Sequence, residues 1–258
     1  MAIPVIDFSK LKGKQRAETL AQIANGCEEW GFFQLVNHGI PVELLDRVKK
    51  VCSECYRLRA KGFKGSKPVQ LLNKLVEKEG EEADVKRLDN VDWEDVFLLQ
   101  DDNEWPSNPP EFSEIMKEYR EELRKLAEKV MEVMDENMGF ENGYIKKVFS
   151  GNGEHQPFFG TKVSHYPPCP CLDLVNGLRA HTDAGGVILL FQDDQVGGLQ
   201  ILKMGSGSMC SLWPMPSSST PETRSKYSAT VATRACGTAC SRPAMATAAP
   251  LLRSTTPP

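Results

Sequence analysis

The stretch Arg179-Ala180-His181-Thr182-Asp183-Ala184-Gly185-Gly186, continuing through Val187-Ile188-Leu189-Leu190-Phe191-Gln192 to Gly197-Gly198-Leu199-Gln200-Ile201-Leu202, decides how this chain is read. A His-x-Asp pair here runs into an apolar strand. Side chains alternate faces along an extended segment, so His181 and Asp183 point the same way, roughly 7 Å apart along the chain. That spacing lets one imidazole and one carboxylate grip a single metal ion. Two histidines and one carboxylate on one face, with open positions opposite, form the ligand set of non-haem Fe(II) centres. The stretch supplies two of the three donors. Of the four histidines in the sequence, His38, His155, His165 and His181, none follows His181.

The bulk numbers set bounds. A chain of 258 residues can bury one substantial core, or one catalytic domain with a helical lobe. Its 40% hydrophobic and 26% charged residues are ordinary for a soluble globular protein. A net charge of -4 gives no reason to expect nucleic acid or an anionic membrane as partner. No apolar run reaches the ~18 residues needed to span a bilayer. The start, Met1 to Phe8, lacks the basic region and long apolar stretch of a secretory signal. Cys52-x-x-Cys55 and Cys169-x-Cys171 hint at a metal or redox site, but no second pair completes a zinc set. The eight cysteines therefore read as reduced thiols of a cytoplasmic protein.

Composition divides the chain at Lys203. Five of the 31 Lys+Arg lie beyond it, against one of the 35 Asp+Glu, Glu222, so the net charge turns from -8 before that point to +4 after it. Ser, Thr, Ala and Pro make up 33 of the last 55 residues, a composition with little to bury that should stay disordered in isolation.

Before Lys203 the periodicities are those of a folded protein. Pro4 to Phe8 reads as a short strand. Arg16 to Trp30 reads as a helix with Gly31 as its stop. Phe32 to Val36 is a buried strand ended by the turn Asn37-His38-Gly39, and Pro41 begins a helix through about Arg59. Residues 61 to 90 are charged and weakly patterned, a mobile helix or loop. Phe112 to Met138 is the clearest helix, with Tyr119, Leu123, Leu126, Val130, Val133 and Met134 recurring at three and four and Gly139 as C-cap. Thr161 to Tyr166 alternates as a strand until Pro167-Pro168 breaks it.

Three blocks carry a family resemblance. Cys27-Glu28-Glu29-Trp30-Gly31-Phe32-Phe33-Gln34-Leu35-Val36-Asn37-His38-Gly39-Ile40 resembles the N-terminal signature of plant Fe(II)/2-oxoglutarate-type dioxygenases. Phe159-Gly160-Thr161-Lys162-Val163-Ser164-His165-Tyr166-Pro167-Pro168-Cys169-Pro170 and the Arg179 to Leu202 block narrow it to the ethylene-forming branch, the 1-aminocyclopropane-1-carboxylate oxidases. The resemblance covers residues 1 to 203. It implies a mixed α and β fold, a double-stranded β-helix (distorted jelly roll) with flanking helices. It implies oxidation of the small molecule 1-aminocyclopropane-1-carboxylate by O2 to ethylene, cyanide and CO2, with Fe(II), ascorbate as co-substrate and CO2 or bicarbonate as activator. By position, His181 and Asp183 are the metal ligands. Lys162 and Arg179 are the basic residues that hold carboxylate or bicarbonate, and Thr161 and Tyr166 are pocket residues. The same matching divides the chain into an N-terminal region (1–105), a long helix and connector (106–156), a partial jelly roll (157–203) and a low-complexity tail (204–258).

Bland readings compete with these. His38 belongs to turn chemistry, His155 to a solvated Gly/Asn loop, and His165 to a substitution at the pocket edge. Lys162 and Arg179 are alternatively a surface lysine and an ion-pair partner.

Beyond Lys203 the chain departs from the family. A Gln-Trp-Ile strand, the second iron-binding histidine and an Arg-x-Ser motif are all expected and all missing. With permitted codons, residues 204–211 read two bases on give Gly-Gln-Trp-Ile-Asp-Val-Gln. The same skip after Arg234 gives Ser-Val-Trp-His-Arg-Val-Leu, its histidine codon straddling Gly237 and Thr238. Ala246 to Arg253 yields the Arg-x-Ser region. Three motifs in order and in one frame lead to the expectation that residues 204–258 are a frameshifted translation. The expectation is a jelly roll incomplete at its C-terminus, weak iron binding and no ethylene production. The alternatives are a 2-oxoglutarate-dependent hydroxylase of a small plant metabolite and a non-catalytic pseudoenzyme.

Overall fold

The computed structural model describes residues 3–78, 88–154, 158–182, 186–192, 199–202, 209–211, 227–231, 237–240 and 246–249. Strand β1 (Val5–Asp7) leads through a 3-10 turn into helix α1 (Arg16–Asn25). The helix expected to run to Trp30 is split: Gly26–Trp30 continues as a wider π turn. That turn brings Gly26 against the next strand, where a Cβ would lie 3.2 Å from a Phe33 ring carbon. Gly31 ends it at φ 63°, a left-handed conformation that glycine adopts without steric cost. Strand β2 (Phe32–Val36) follows with Phe32, Phe33 and Leu35 buried.

Helix α2 (Val42–Phe63) starts after Pro41 and presents Leu44, Leu45, Val48, Val51, Cys52 and Cys55 inward. Within the weakly patterned region, α3 (Lys67–Lys78) and strand β3 (Leu88–Asp92) form, and β4 (Asp95–Leu99) follows. Helix α4 (Phe112–Met138) has the bounds its periodicity predicts and ends on Gly139 at φ 73°. Its stripe from Phe112 through Met116, Tyr119, Leu123, Ala127 and Val130 is buried in the main core with α2. Each fully buried large side chain of that stripe contributes about 1.5–3 kcal/mol. The buried Asp135 carboxylate then accepts from the backbone N–H groups of Gly143 and Ile145, fixing the start of α5 (Tyr144–Phe149).

The remaining elements are strands: β5 (Thr161–His165), β6 (Val175–Asn176), β7 (Leu178–Thr182), β8 (Val187–Gln192), β9 (Leu199–Leu202), β10 (Met209–Ser211), β11 (Tyr227–Val231), β12 (Gly237–Cys240) and β13 (Ala246–Ala249). They form a seven-stranded sheet in the order β1-β2-β11-β8-β13-β5-β4, a four-stranded sheet β10-β9-β12-β7, and a small β3-β6 pair. Val187, Ile188, Leu189 and Phe191 of β8 are all buried, the pattern of a strand covered on both faces. Tyr119 of α4 meets Phe191 with ring centroids 6.3 Å apart.

Backbone pairing draws segments of the tail into both sheets. β11 lies between β2 and β8, β13 between β8 and β5, and β12 between β9 and β7. Main-chain N–H and C=O groups pair whatever the side chain, and unpaired strand edges demand partners. The sequences placed there are rich in Ala, Ser, Thr and Gly, which bury little apolar surface. Among the described residues no helix is long and apolar enough to cross a membrane.

Candidate metal and carboxylate site

Strand β7 carries Arg179 and His181. They lie two apart on it, across an irregularity in its pairing with β12 that interrupts side-chain alternation. Asp183, the expected carboxylate ligand, lies outside the described residues. His181 is exposed, and its Nδ1 lies 2.9 Å from the Arg179 carbonyl oxygen. A carbonyl oxygen only accepts, so this contact assigns the ring proton to Nδ1, the tautomer in which Nε2 is the acceptor.

The two candidate cations are held by one short segment. The Arg179 backbone N–H and Nε both donate to Asp92 Oδ1 at 2.9 Å, and Nη2 donates to Oδ2 at 3.1 Å. This two-pronged contact raises the Arg179 pKa above its ordinary value. Lys162, on β5, donates from Nζ to Glu94 Oε1 at 2.9 Å and Oε2 at 3.1 Å. Between the two acids, Trp93 Nε1 donates to the Pro167 carbonyl at 2.9 Å, and its buried ring meets Phe63 edge-on at 5.4 Å. Asp92-Trp93-Glu94, the connection from β3 to β4, thus ties β7, β5 and the Pro167 turn together. A cavity of about 800 Å³ opens beside it, lined also by Arg59, Phe63, Ser66 and Asp95.

Asp92 and Glu94 escaped the sequence reading. The available signal was an acid-Trp-acid triplet at the junction of two short strands. Nothing in the sequence pairs it with cations 68 and 87 residues away.

The pocket candidates separate. Tyr166 is buried with Leu178, the first residue of β7, packed against it. Thr161 neighbours Lys162 on β5 and so faces the opposite side. It is buried in the Arg120 cluster, where Arg120 also donates to the Leu99 and Phe159 carbonyls and to Asp101.

Among the described residues, His181 is the one expected iron ligand that the structure places. His38 is the acceptor for the Ile40 N–H, Nδ1 to N 3.1 Å, inside the turn after β2. His165 stacks on Tyr56 with centroids 4.8 Å apart, and burial holds its pKa below the ordinary value. His155 lies outside the described residues. Among the described residues, no three His, Cys, Asp or Glu side chains cluster as a metal site. The described residues therefore do not by themselves make up a fully ligated ferrous site.

Residues 3–118 match the family described as non-haem dioxygenase in morphine synthesis N-terminal, and residues 158–231 match the 2OG-Fe(II) oxygenase superfamily. The 1-aminocyclopropane-1-carboxylate oxidase of Musa acuminata is 82% identical over 205 residues, covering 80% of this chain and 66% of that protein. The 1-aminocyclopropane-1-carboxylate oxidase 5 of Arabidopsis thaliana is 63% identical over 222 residues, covering 84% of this chain and 69% of its own length. The chain spans about two thirds of the length of these relatives. Among solved structures, JOX2 in complex with 2OG, Fe and JA superposes with TM-score 0.73 at 27% identity, covering 100% of this chain and 77% of that one. The rice dioxygenase for auxin oxidation shares the fold, with TM-score 0.69 at 19% identity over 98% of this chain and 84% of that one.

Proposed function

The chain belongs to the 1-aminocyclopropane-1-carboxylate oxidase family of the 2OG-Fe(II) oxygenase superfamily, and from that premise we propose that its fold serves oxidation of 1-aminocyclopropane-1-carboxylate to ethylene. The family's metal is Fe(II); ascorbate as electron donor and CO2 or bicarbonate as activator are part of the proposal, as is a cytoplasmic setting. The observation that carries it is the pair of cations, Lys162 and Arg179, held by Glu94 and Asp92, with Arg179 two residues before His181 on strand β7.

The substrate is a compact amino acid whose carboxylate needs a cationic partner. A guanidinium offers that partner two parallel N–H donors, and an ammonium offers a point charge. Both cations hold acids already, so an incoming carboxylate must displace or share Asp92 or Glu94. Those acids set the distance at which the cations wait. Tyr166, buried beside Leu178, would shape the apolar side of the pocket toward the cyclopropane ring.

The reading includes a deficit. With no histidine beyond His181, the chain as written lacks a donor and does not turn over. The Musa acuminata match spans 205 residues, close in length to the stretch before the composition break at Lys203. This supports a shifted frame beyond that point. Headspace ethylene from 1-aminocyclopropane-1-carboxylate, with Fe(II), ascorbate and bicarbonate, tests both parts. No ethylene from the 258-residue chain and ethylene from a frame-restored version are expected. Turnover by the chain as written overturns the deficit. A frame-restored version that needs 2-oxoglutarate instead of ascorbate overturns the substrate assignment in favour of a hydroxylase.

A further inference from the structure

We propose that the cavity between the β4–α4 loop and the first half of α4 binds a small carboxylate monoanion with a flat apolar body, and that Asp101 is the internal carboxylate which such a ligand displaces. The proposal stands apart from the reading of the β7 site and does not depend on it.

The cavity has a volume of about 610 Å³. Helix α4 lines it with Lys117, Arg120, Glu121 and Arg124, whose three- and four-residue spacing keeps them on one helix face. The loop after β4 supplies the opposite wall with Asp101 and Trp105. Three cations against two acids leave this lining one positive charge over, in a chain whose net charge is -4. The Trp105 indole N–H is taken up by the Gln100 carbonyl at 2.7 Å, so its ring surface is what it offers the cavity.

The site is built around a buried guanidinium. The Arg120 side chain keeps 5% exposure. Its guanidinium carbon lies 5.1 Å from the Trp105 ring centre and 4.7 Å from that of Phe159. The Arg124 guanidinium carbon lies 4.8 Å from the same Phe159 ring. Two guanidiniums thus share one aromatic ring, and one carboxylate serves both. Asp101 Oδ1 accepts from Arg120 Nη2 at 2.5 Å, and its Oδ2 lies 3.9 Å from Arg124 Nη2. Burial holds the Arg120 pKa below its ordinary value; Asp101 opposes this, and the Arg124 charge adds to it. One carboxylate therefore leaves the cations under-compensated.

Asp101 is a replaceable occupant. Its side chain is 73% exposed, so the contact it makes is largely solvated and cheap to break. The loop backbone need not follow the side chain. Asn103 Nδ2 donates to the Leu98 carbonyl at 2.7 Å, and Asn103 Oδ1 accepts from the Gln100 N–H at 2.9 Å, pinning the loop on either side of Asp101. An incoming carboxylate takes over the guanidinium donors that Asp101 vacates. Its apolar body lies along Trp105. A dianion is disfavoured, because Glu121 and the displaced Asp101 stay close by.

Ligand-observed NMR titration with benzoate as the probe tests this on the 258-residue chain. The unsubstituted chain should bind benzoate saturably. Asp101→Asn removes the internal competitor. A charge-assisted pair keeps the open state to on the order of a tenth of the molecules, so this variant should bind benzoate about tenfold more tightly. An Asp101 with a structural role alone would give no such gain. Arg124→Gln changes a half-exposed residue and should weaken binding by at least about tenfold. Trp105→Leu should weaken benzoate severalfold and leave acetate, which has no ring, unchanged. Inorganic phosphate, presented as the dianion at mildly alkaline pH, should bind more weakly than benzoate. Lys162→Met removes a cation of the other site and should change nothing. No saturable benzoate binding, or no tightening in Asp101→Asn, overturns the proposal. Binding lost in Lys162→Met and kept in Arg124→Gln places the carboxylate beside Glu94 instead and overturns it as well. Benzoate bound equally well by Trp105→Leu, or phosphate bound more tightly than benzoate, overturns the ligand class.

Discussion

Glu94 reaches across 68 residues of sequence to set both carboxylate oxygens within 3.1 Å of the Lys162 ammonium. The side chains keep 29% (Lys162) and 13% (Glu94) exposure, so the pair lies between a solvated and a buried ion pair. Glu94→Gln leaves the ammonium without its counter-charge and should cost about 1–3 kcal/mol. Urea denaturation checks this, and a double-mutant cycle with Lys162→Met isolates the coupling. Zero coupling would remove the clamp from the account. Asp92→Asn, opposite the more exposed Arg179, should cost less than Glu94→Gln.

Arg120 should be the most costly charge to remove. It is buried and bonded to the Leu99 and Phe159 carbonyls and to Asp101, with the Phe159 ring 4.7 Å from its guanidinium carbon. Arg120→Ala orphans two carbonyls and opens a void, an expected loss of about 3–5 kcal/mol. Arg120→Lys should recover little, since an ammonium lacks the planar fork. Thermal melts of both variants decide it; a melt for Arg120→Lys equal to that of the unsubstituted chain contradicts the geometry.

Stability should fall on the alkaline side. Burial pushes the Cys27 thiol from 9.0 up to about 11, and pushes Cys52 and Tyr56 up as well. The raised folded value means the unfolded chain gives up its proton first. The stabilisation is complete below pH 9.0 and is lost as pH rises toward about 11. For Cys27 this is on the order of 2 kcal/mol. Denaturation midpoints between pH 8 and 11 should fall, and less steeply for Cys27→Ala; an unchanged slope argues against the thiol.

The acid side should show His165. Burial lowers its pKa from 6.5, with Asp95 partly opposing. A depressed folded value gives stability that is present above 6.5 and is lost as pH falls through the folded value. His165→Asn cannot titrate. Its stability should change less between pH 7 and 5 than that of the unsubstituted chain, and parallel curves would show that another group governs the region.

Removing residues 204–258 should give a chain that self-associates. Without β11 and β13, the pairs β1-β2 and β4-β5 and the lone β8 lose the strands that join them. Exposed apolar edges then seek partners. Size-exclusion chromatography of residues 1–203 should show aggregates; a clean monomer would mean the tail strands are dispensable.

The sequence by itself determined much. Periodicity placed α4 to the residue, because a long apolar stripe with a glycine stop is local information. The same holds for β2. The break at Lys203 was likewise legible, since composition needs no coordinates. Other features required the fold. Asp92 and Glu94 became site residues only when β3 and β4 came beside β7 and β5, because an ion pair across 68 or 87 residues has no local signature. The close approach of Gly26 to Phe33, on the following strand, likewise has no local signature. The partner of His181 was decided by register alone: hydrogen-bonded pairing between distant strands sets which residue stands opposite, and at that place the chain has Thr238.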